Sequence, residues 1–166
     1  MILLYADDTS IFAHSHVDLA RKLKALHEYC LINGLEVNRS KTNIMIYKSA
    51  GRARLIPENF RTYGLPLDTV SKTNFLGVKI SSSTLGLAAL DSALIKAKCA
   101  SSTVISILSK AKCDSWDAYN KLFESLVASV LLYAFPAWGL RYRNSLETAQ
   151  CFFYKKQLRL PRNTAD

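Results

Sequence analysis

The chain has 166 residues, 49% of them apolar, and 22 Lys and Arg against 13 Asp and Glu give it a formal charge of +9. That length bounds it to one large domain or two small ones with a real core, and a basic excess divided evenly between the two halves favours a polyanionic partner, or serves solubility alone. Cys30, Cys99, Cys113 and Cys151 are far apart and lack CxxC spacing, which argues against zinc and a disulfide framework and for free thiols in a reducing compartment, nucleus or cytoplasm.

The first apolar run meets two acids at once, so no signal peptide is expected. Residues 2–6 and 9–13 are short, partly β-branched and aromatic, and interrupted only at Asp7-Asp8. The pattern predicts a β-hairpin with the acids at its tight turn. Asp is a favoured turn residue, so the pair also suits an ordinary turn. Adjacent carboxylates repel, and a bound Mg²⁺ would remove that repulsion while giving their oxygens a hard-cation partner.

The string Leu3-Leu4-Tyr5-Ala6-Asp7-Asp8-Thr9, set between two strands, resembles the catalytic hairpin of reverse transcriptases, and most of all that of non-LTR retrotransposons. The resemblance implies that Asp7 is a ligand of two catalytic Mg²⁺ ions, that Asp8 assists, and that Tyr5 lies near the primer–template end. The implied reaction is nucleotidyl transfer by in-line displacement at a primer 3′-hydroxyl.

Further on, Ser15 and Asp18 form a capping-box signal for a helix that ends at Asn33-Gly34. Its inner face is predicted to carry Ala20, Leu23, His27, Cys30 and Leu31. His14 and His16 read as surface residues, and His27 as a satisfied core histidine. A short strand, a polar turn and a longer strand are predicted over 34–47. There Gly34-Leu35-Glu36-Val37-Asn38-Arg39-Ser40-Lys41-Thr42 is similar to the reverse transcriptases' next palm block. The resemblance puts Lys41 against the incoming nucleotide's phosphates, where an amine can also protonate pyrophosphate.

Residues 48–58 read as a basic loop in which Arg52 and Arg54 reach phosphate or merely solvent. Short strands are predicted at 60–63, 70–72 and 75–81, divided by Gly64, Pro66 and Asp68. Phe75-Leu76-Gly77 resembles the family's Phe-Leu-Gly block, a hairpin that grips the primer backbone. Its glycine permits close backbone approach or forms a bulge.

From residue 84 the apolar period lengthens to three and four. Leu87, Leu90, Leu94, Ala97, Ser101, Val104, Leu108 and Ala111 make a seam that suits packing in a bundle or, on its own, a coiled coil. Asp114 and Asp117 are expected to cap the next helix, with Tyr119, Leu122, Phe123, Leu126, Val127, Val130, Leu131 and Ala134 inward until Pro136 ends or kinks it. The charge-free run at 125–140 is 16 residues long, short of the roughly 20 that span a bilayer. It predicts a buried helix and no membrane partner. A last helix from about Ser145 carries Leu146, Ala149, Phe153 and Leu158.

Residues 141–162 hold Arg141, Arg143, Lys155, Lys156, Arg159 and Arg162 against Glu147 alone, with Tyr142, Phe152 and Tyr154 interleaved. Such a stretch suits a nucleic-acid surface or a solvated helix face. Together with Leu131-Leu132-Tyr133-Ala134-Phe135-Pro136-Ala137-Trp138-Gly139 it is similar to the helical thumb of retroelement polymerases. Lys155, Lys156 and Arg159 are the residues implied to meet nucleic acid there.

The expected fold class is α+β: a partial polymerase palm (1–83), with a small antiparallel sheet and packing helices, then a helical thumb-like bundle (84–166). The partners implied are an RNA template with a DNA primer, and dNTP in a full-length enzyme. The family's upstream palm strand supplies another metal-binding aspartate and its fingers bind triphosphate. Neither is recognised here, so an inactive fragment of an RNA-directed DNA polymerase is expected. The alternatives are a non-catalytic nucleic-acid-binding module and an interaction protein using the 87–111 seam.

Overall fold

The computed structural model describes residues 1–47, 60–62, 65–84, 86–161 and 163–164. They group into two compact units, Met1–Ser71 and Lys72–Asp166. The class is α+β, as the sequence predicts. Among the described residues the strands form four two-stranded ribbons rather than one sheet. Three are antiparallel and one is parallel.

In the first unit β1 (Ile2–Tyr5) and β2 (Asp8–Ile11) make the expected hairpin, with Ile2 opposite Ile11 and Tyr5 opposite Asp8. Helix α1 (His16–Ile32) starts as its sequence demands: the Ser15 hydroxyl accepts the Asp18 N–H at 3.2 Å. It ends in a Schellman motif, Leu35 N–H donating to the Cys30 carbonyl at 2.8 Å and Gly34 taking φ +64°. Leu23 and Cys30 are buried. Ala20 and Leu31, predicted to face inward, are exposed. Leu31 sits about 80° round the helix from Leu23, just off the buried stripe.

The strand expected near 35–38 is absent, and its local chemistry explains why. The Lys41 N–H and the Thr42 hydroxyl both turn back on the Asn38 carbonyl, and the Ser40 hydroxyl takes the Asn38 side chain. Those short-range bonds compete with ladder pairing. The longer strand shrinks to β3 (Asn43–Ile44). Then β4 (Arg61–Thr62) pairs with β5 (Leu65–Pro66), and β6 (Asp68–Thr69) lies parallel to β3. Leu23, Ile44, Phe60 and Leu67 form the core of this unit. The basic loop expected at 48–58, with Arg52 and Arg54, lies outside the described residues, as do Tyr63, Gly64 and Arg162.

The second unit opens with a hairpin, β7 (Lys72–Phe75) and β8 (Val78–Ser81). The continuous strand predicted over 75–81 is thus divided by a turn at Leu76-Gly77. Both turn residues have positive φ, 47° and 77°, the signature of a type I′ loop. The palm-and-thumb partition drawn from the resemblance assigns this hairpin to the earlier part of the chain; in the fold it groups with the helices.

Helix α2 (Leu87–Lys110) buries Leu90, Ala97, Ser101, Val104 and Leu108 from the predicted seam, while Leu87 is exposed. Ser101 is tolerated because its hydroxyl donates to the Ala97 carbonyl at 2.7 Å. Helix α3 (Trp116–Leu122) is capped by Ser115, not by the expected aspartates. A π-helical segment Phe123–Ala128 continues it into α4 (Ser129–Leu131). Ser125 and Ser129 donate to the carbonyls of Lys121 and Ser125. Such back-bonding distorts a helix.

The chain then breaks at 132–134, with Ala134 at φ +55°. Pro136 lies in the first turn of α5 (Phe135–Trp138), where its missing N–H costs nothing. The expected break is real, but Pro136 follows it. A 3-10 turn, Leu140–Tyr142, leads into α6 (Arg143–Gln157), which buries Leu146 and Phe153. Leu158 falls beyond that helix and is exposed. No helix among the described residues is long and apolar enough to cross a membrane.

Candidate functional site

The two-residue loop of the first hairpin is Ala6-Asp7, and Asp8 is the first residue of β2. Ala6 alone in that loop has positive φ, 50°, as in the type II′ class that keeps twisted strands in register. A directly opposed cross-strand pair shares one face of a ribbon, so Tyr5 and Asp8 do. Asp7 projects from the bend itself. The far end of the ribbon is tied down: the Phe12 N–H donates to the Met1 carbonyl at 3.0 Å, and the Lys22 ammonium to the Phe12 carbonyl at 2.7 Å. The same ammonium holds the Asp18 carboxylate at 2.7 Å, so α1 carries the base of the hairpin while the acidic bend stands clear.

Asp7 and Asp8 are exposed, and neither carboxylate has a hydrogen bond or ion pair among the described residues. No group of three or more His, Cys, Asp and Glu side chains gathers anywhere among those residues. Two unpaired, hydrated carboxylates are a donor set that suits Mg²⁺, which keeps several waters and binds through one or two carboxylates plus phosphate oxygens. By donor chemistry either carboxylate suits such an ion, with water and substrate completing the shell; holding two ions requires further ligands. Strand β1 is apolar and uncovered on both faces, Leu4 being 73% and Tyr5 66% exposed.

Lys41 lies in the same unit, on the exposed turn that the Asn38 bonds shape, and is not ion-paired with either aspartate. Of the residues in the second unit, Phe75 ends β7 and Leu76-Gly77 form its turn. Lys155 and Lys156 occupy the last turn of α6, where cations suit the helix dipole. The Lys155 ammonium is hydrogen-bonded to the Thr164 carbonyl, and Lys156 to the Ser102 hydroxyl at 3.2 Å. Arg159 is exposed just past the helix, at φ +55°.

Sequence reasoning missed two residues that handle the Leu76-Gly77 turn. The Tyr133 hydroxyl donates to the Leu76 carbonyl at 2.8 Å, and the Lys96 ammonium to the Gly77 carbonyl at 3.4 Å. Tyr133 was visible only as part of a family-like string, and Lys96 as a lysine off the apolar seam.

Residues 1–80 match the model of the reverse transcriptase (RNA-dependent DNA polymerase) family. That stretch contains the Asp7-Asp8 hairpin, Lys41 and the Phe75-Leu76-Gly77 block. No curated protein and no solved structure matches the chain.

Proposed function

We propose that these 166 residues are part of an RNA-directed DNA polymerase of a non-LTR retroelement, working inside the cell on an RNA template paired with a DNA primer. The observation that carries the reading is the hairpin whose bend presents Asp7 and Asp8 unpaired and in water, inside the stretch that matches the reverse transcriptase family. Polymerases of that family generally use Mg²⁺. Asp7 and Asp8 are the residues that hold it, and when bound it supplies Lewis-acid charge for nucleotidyl transfer.

The chain's own groups take the remaining tasks. Tyr5 offers a ring beside Asp8 for the primer end. Lys41 offers a compact cation on a flexible stem for the triphosphate, able to give up a proton to departing pyrophosphate. The turn of Phe75, Leu76 and Gly77 rests on the primer backbone, and Lys155, Lys156 and Arg159 meet phosphates. The resemblance implies a further metal-binding aspartate on an upstream palm strand, and on that ground these residues by themselves do not catalyse transfer. The remaining ligand and the dNTP-binding groups come from other polymerase segments.

The test uses the chain as it stands with a labelled RNA–DNA primer–template. Binding is expected at low salt, with affinity falling steeply as salt rises, and no primer extension with Mg²⁺ and dNTPs. Extension abolished by Asp7→Ala would overturn the inactivity. Absence of binding at low salt would remove both this reading and the alternative, a non-catalytic nucleic-acid-binding module of the same descent.

A further inference from the structure

The turn Leu76-Gly77 is an unusual object on elementary grounds. A type I′ loop wants Asn, Asp or Gly at its first position, yet Leu76 sits there at φ +47°. Left-handed backbone costs a residue with a Cβ about 1–2 kcal/mol, and such strain persists only where the surroundings over-determine it. Here the surroundings are two side chains of the helical part, Lys96 on α2 and Tyr133 between α4 and α5. The Tyr133 hydroxyl, 57 residues away in sequence, binds the carbonyl of Leu76, and Lys96, on α2, binds that of Gly77. Both central carbonyls of the turn are thereby held. The ring of Tyr133 also closes on Gly77: a Cβ there would lie 3.5 Å from it, so ring and turn are in van der Waals contact.

Tyr133 is itself fixed from behind. It falls in the break between α4 and α5, and its carbonyl accepts the Trp138 indole N–H at 3.0 Å. Gly86, at the start of α2, lies so close to Trp138 that a Cβ would meet its carbonyl at 2.9 Å. A continuous line of contact therefore runs from the start of α2 through Trp138 and Tyr133 to the turn. The turn also borders a cleft of about 270 Å³, lined by Lys79, Ser92, Lys96 and Tyr133 among others, that is open to solvent.

We propose that Tyr133 and Lys96 are positioning residues for the Leu76-Gly77 turn: they hold it in its strained form, so that the nucleic-acid-facing loop moves as one piece with the helices. The inference rests on the reading above for what the turn touches, but not for how it is held. Tyr133 acts through its hydroxyl on the Leu76 carbonyl, and Lys96 through its ammonium on the Gly77 carbonyl.

The test takes the full chain and its Tyr133→Phe, Lys96→Met and doubly substituted forms through two measurements. Amide hydrogen exchange at residues 75–78 reads the anchoring alone, and anisotropy with an RNA–DNA duplex over a salt series reads its consequence. Tyr133→Phe keeps the ring and removes one hydrogen bond. It should speed exchange in the turn about three- to tenfold and weaken duplex binding by a similar factor, with the slope of log K against log salt unchanged because no phosphate contact is lost. Lys96→Met should act in the same direction, and the double form should fall short of the product of the two because both hold one loop.

Unchanged exchange in Tyr133→Phe overturns the proposal. So does a salt slope lowered by about one in Lys96→Met, which would make that lysine a direct phosphate contact. Faster exchange with duplex affinity intact overturns the link to nucleic acid. A wild-type chain that binds no duplex sinks the functional reading and this link together; the exchange result then reports the anchoring alone.

Discussion

The rings of Phe123 and Phe153 meet with their centroids 4.7 Å apart and their planes tilted by 40°. Phe153 is fully buried, and Tyr154 meets the Phe123 ring at a tilt and the Phe153 ring edge-on. The π-helical segment begins at Phe123, and α6 contributes Phe153, so this contact joins two of the elements that pack with α2 in the second unit's core. Phe153→Ala should cost about 3–5 kcal/mol, read as a lowered midpoint in urea unfolding. Phe153→Leu, which keeps most of the volume, should cost markedly less.

Gly86 begins α2 at φ +74° against the Trp138 carbonyl. Gly86→Ala adds a Cβ to left-handed backbone at about 1–2 kcal/mol and drives it against a backbone oxygen as well. Thermal unfolding should show a loss above that range. A neutral result would mean that α2 starts elsewhere.

Local chemistry was what the sequence displayed most clearly. Ser15 with Asp18, the Asn33-Gly34 stop and the Leu90–Ala97–Val104–Leu108 stripe are each settled within a few residues, and the structure follows them. The acidic hairpin was legible for the same reason, since two apolar runs and a two-residue loop specify it. What escaped depends on distant partners. The parallel pairing of Asn43–Ile44 with Asp68–Thr69 leaves no periodic trace in two-residue strands. Phe123 and Val127 are buried as expected, but Leu126, expected inward, is 45% exposed in the π segment, which no propensity marks. Lys96 and Tyr133 meet the Leu76-Gly77 turn only after the helices have packed, so neither could be singled out beforehand.

Asp18 makes the first unit sensitive to acid. The Lys22 ammonium bonded to its carboxylate, with Arg21 and the His14 N–H adding to it, holds the group well below the usual carboxylate range. A depressed folded-state value means the unfolded chain binds protons first. The contribution is therefore complete above about pH 5 and is lost as the pH falls through 4 and below. Stability followed from pH 6 to pH 2 should decline over that window, and Asp18→Asn should flatten the decline.

Ala6 carries the hairpin bend at φ +50° without needing its methyl group for packing, since it is exposed. Ala6→Gly removes the left-handed cost, partly offset by the greater freedom of the unfolded glycine. A gain of up to about 1 kcal/mol in unfolding free energy is expected. A clear loss would mean that the bend is not left-handed in solution.

The most direct test follows Asp7 and Asp8 themselves. Mn²⁺ added to the isotopically labelled chain should broaden the amide signals of residues 6–9 at the lowest concentrations. The effect should saturate, be reversed by excess Mg²⁺, and vanish in the Asp7→Asn, Asp8→Asn double variant. Broadening spread equally over other exposed acids such as Asp91 and Asp117, with the bend not singled out, would contradict a divalent-cation site at this hairpin.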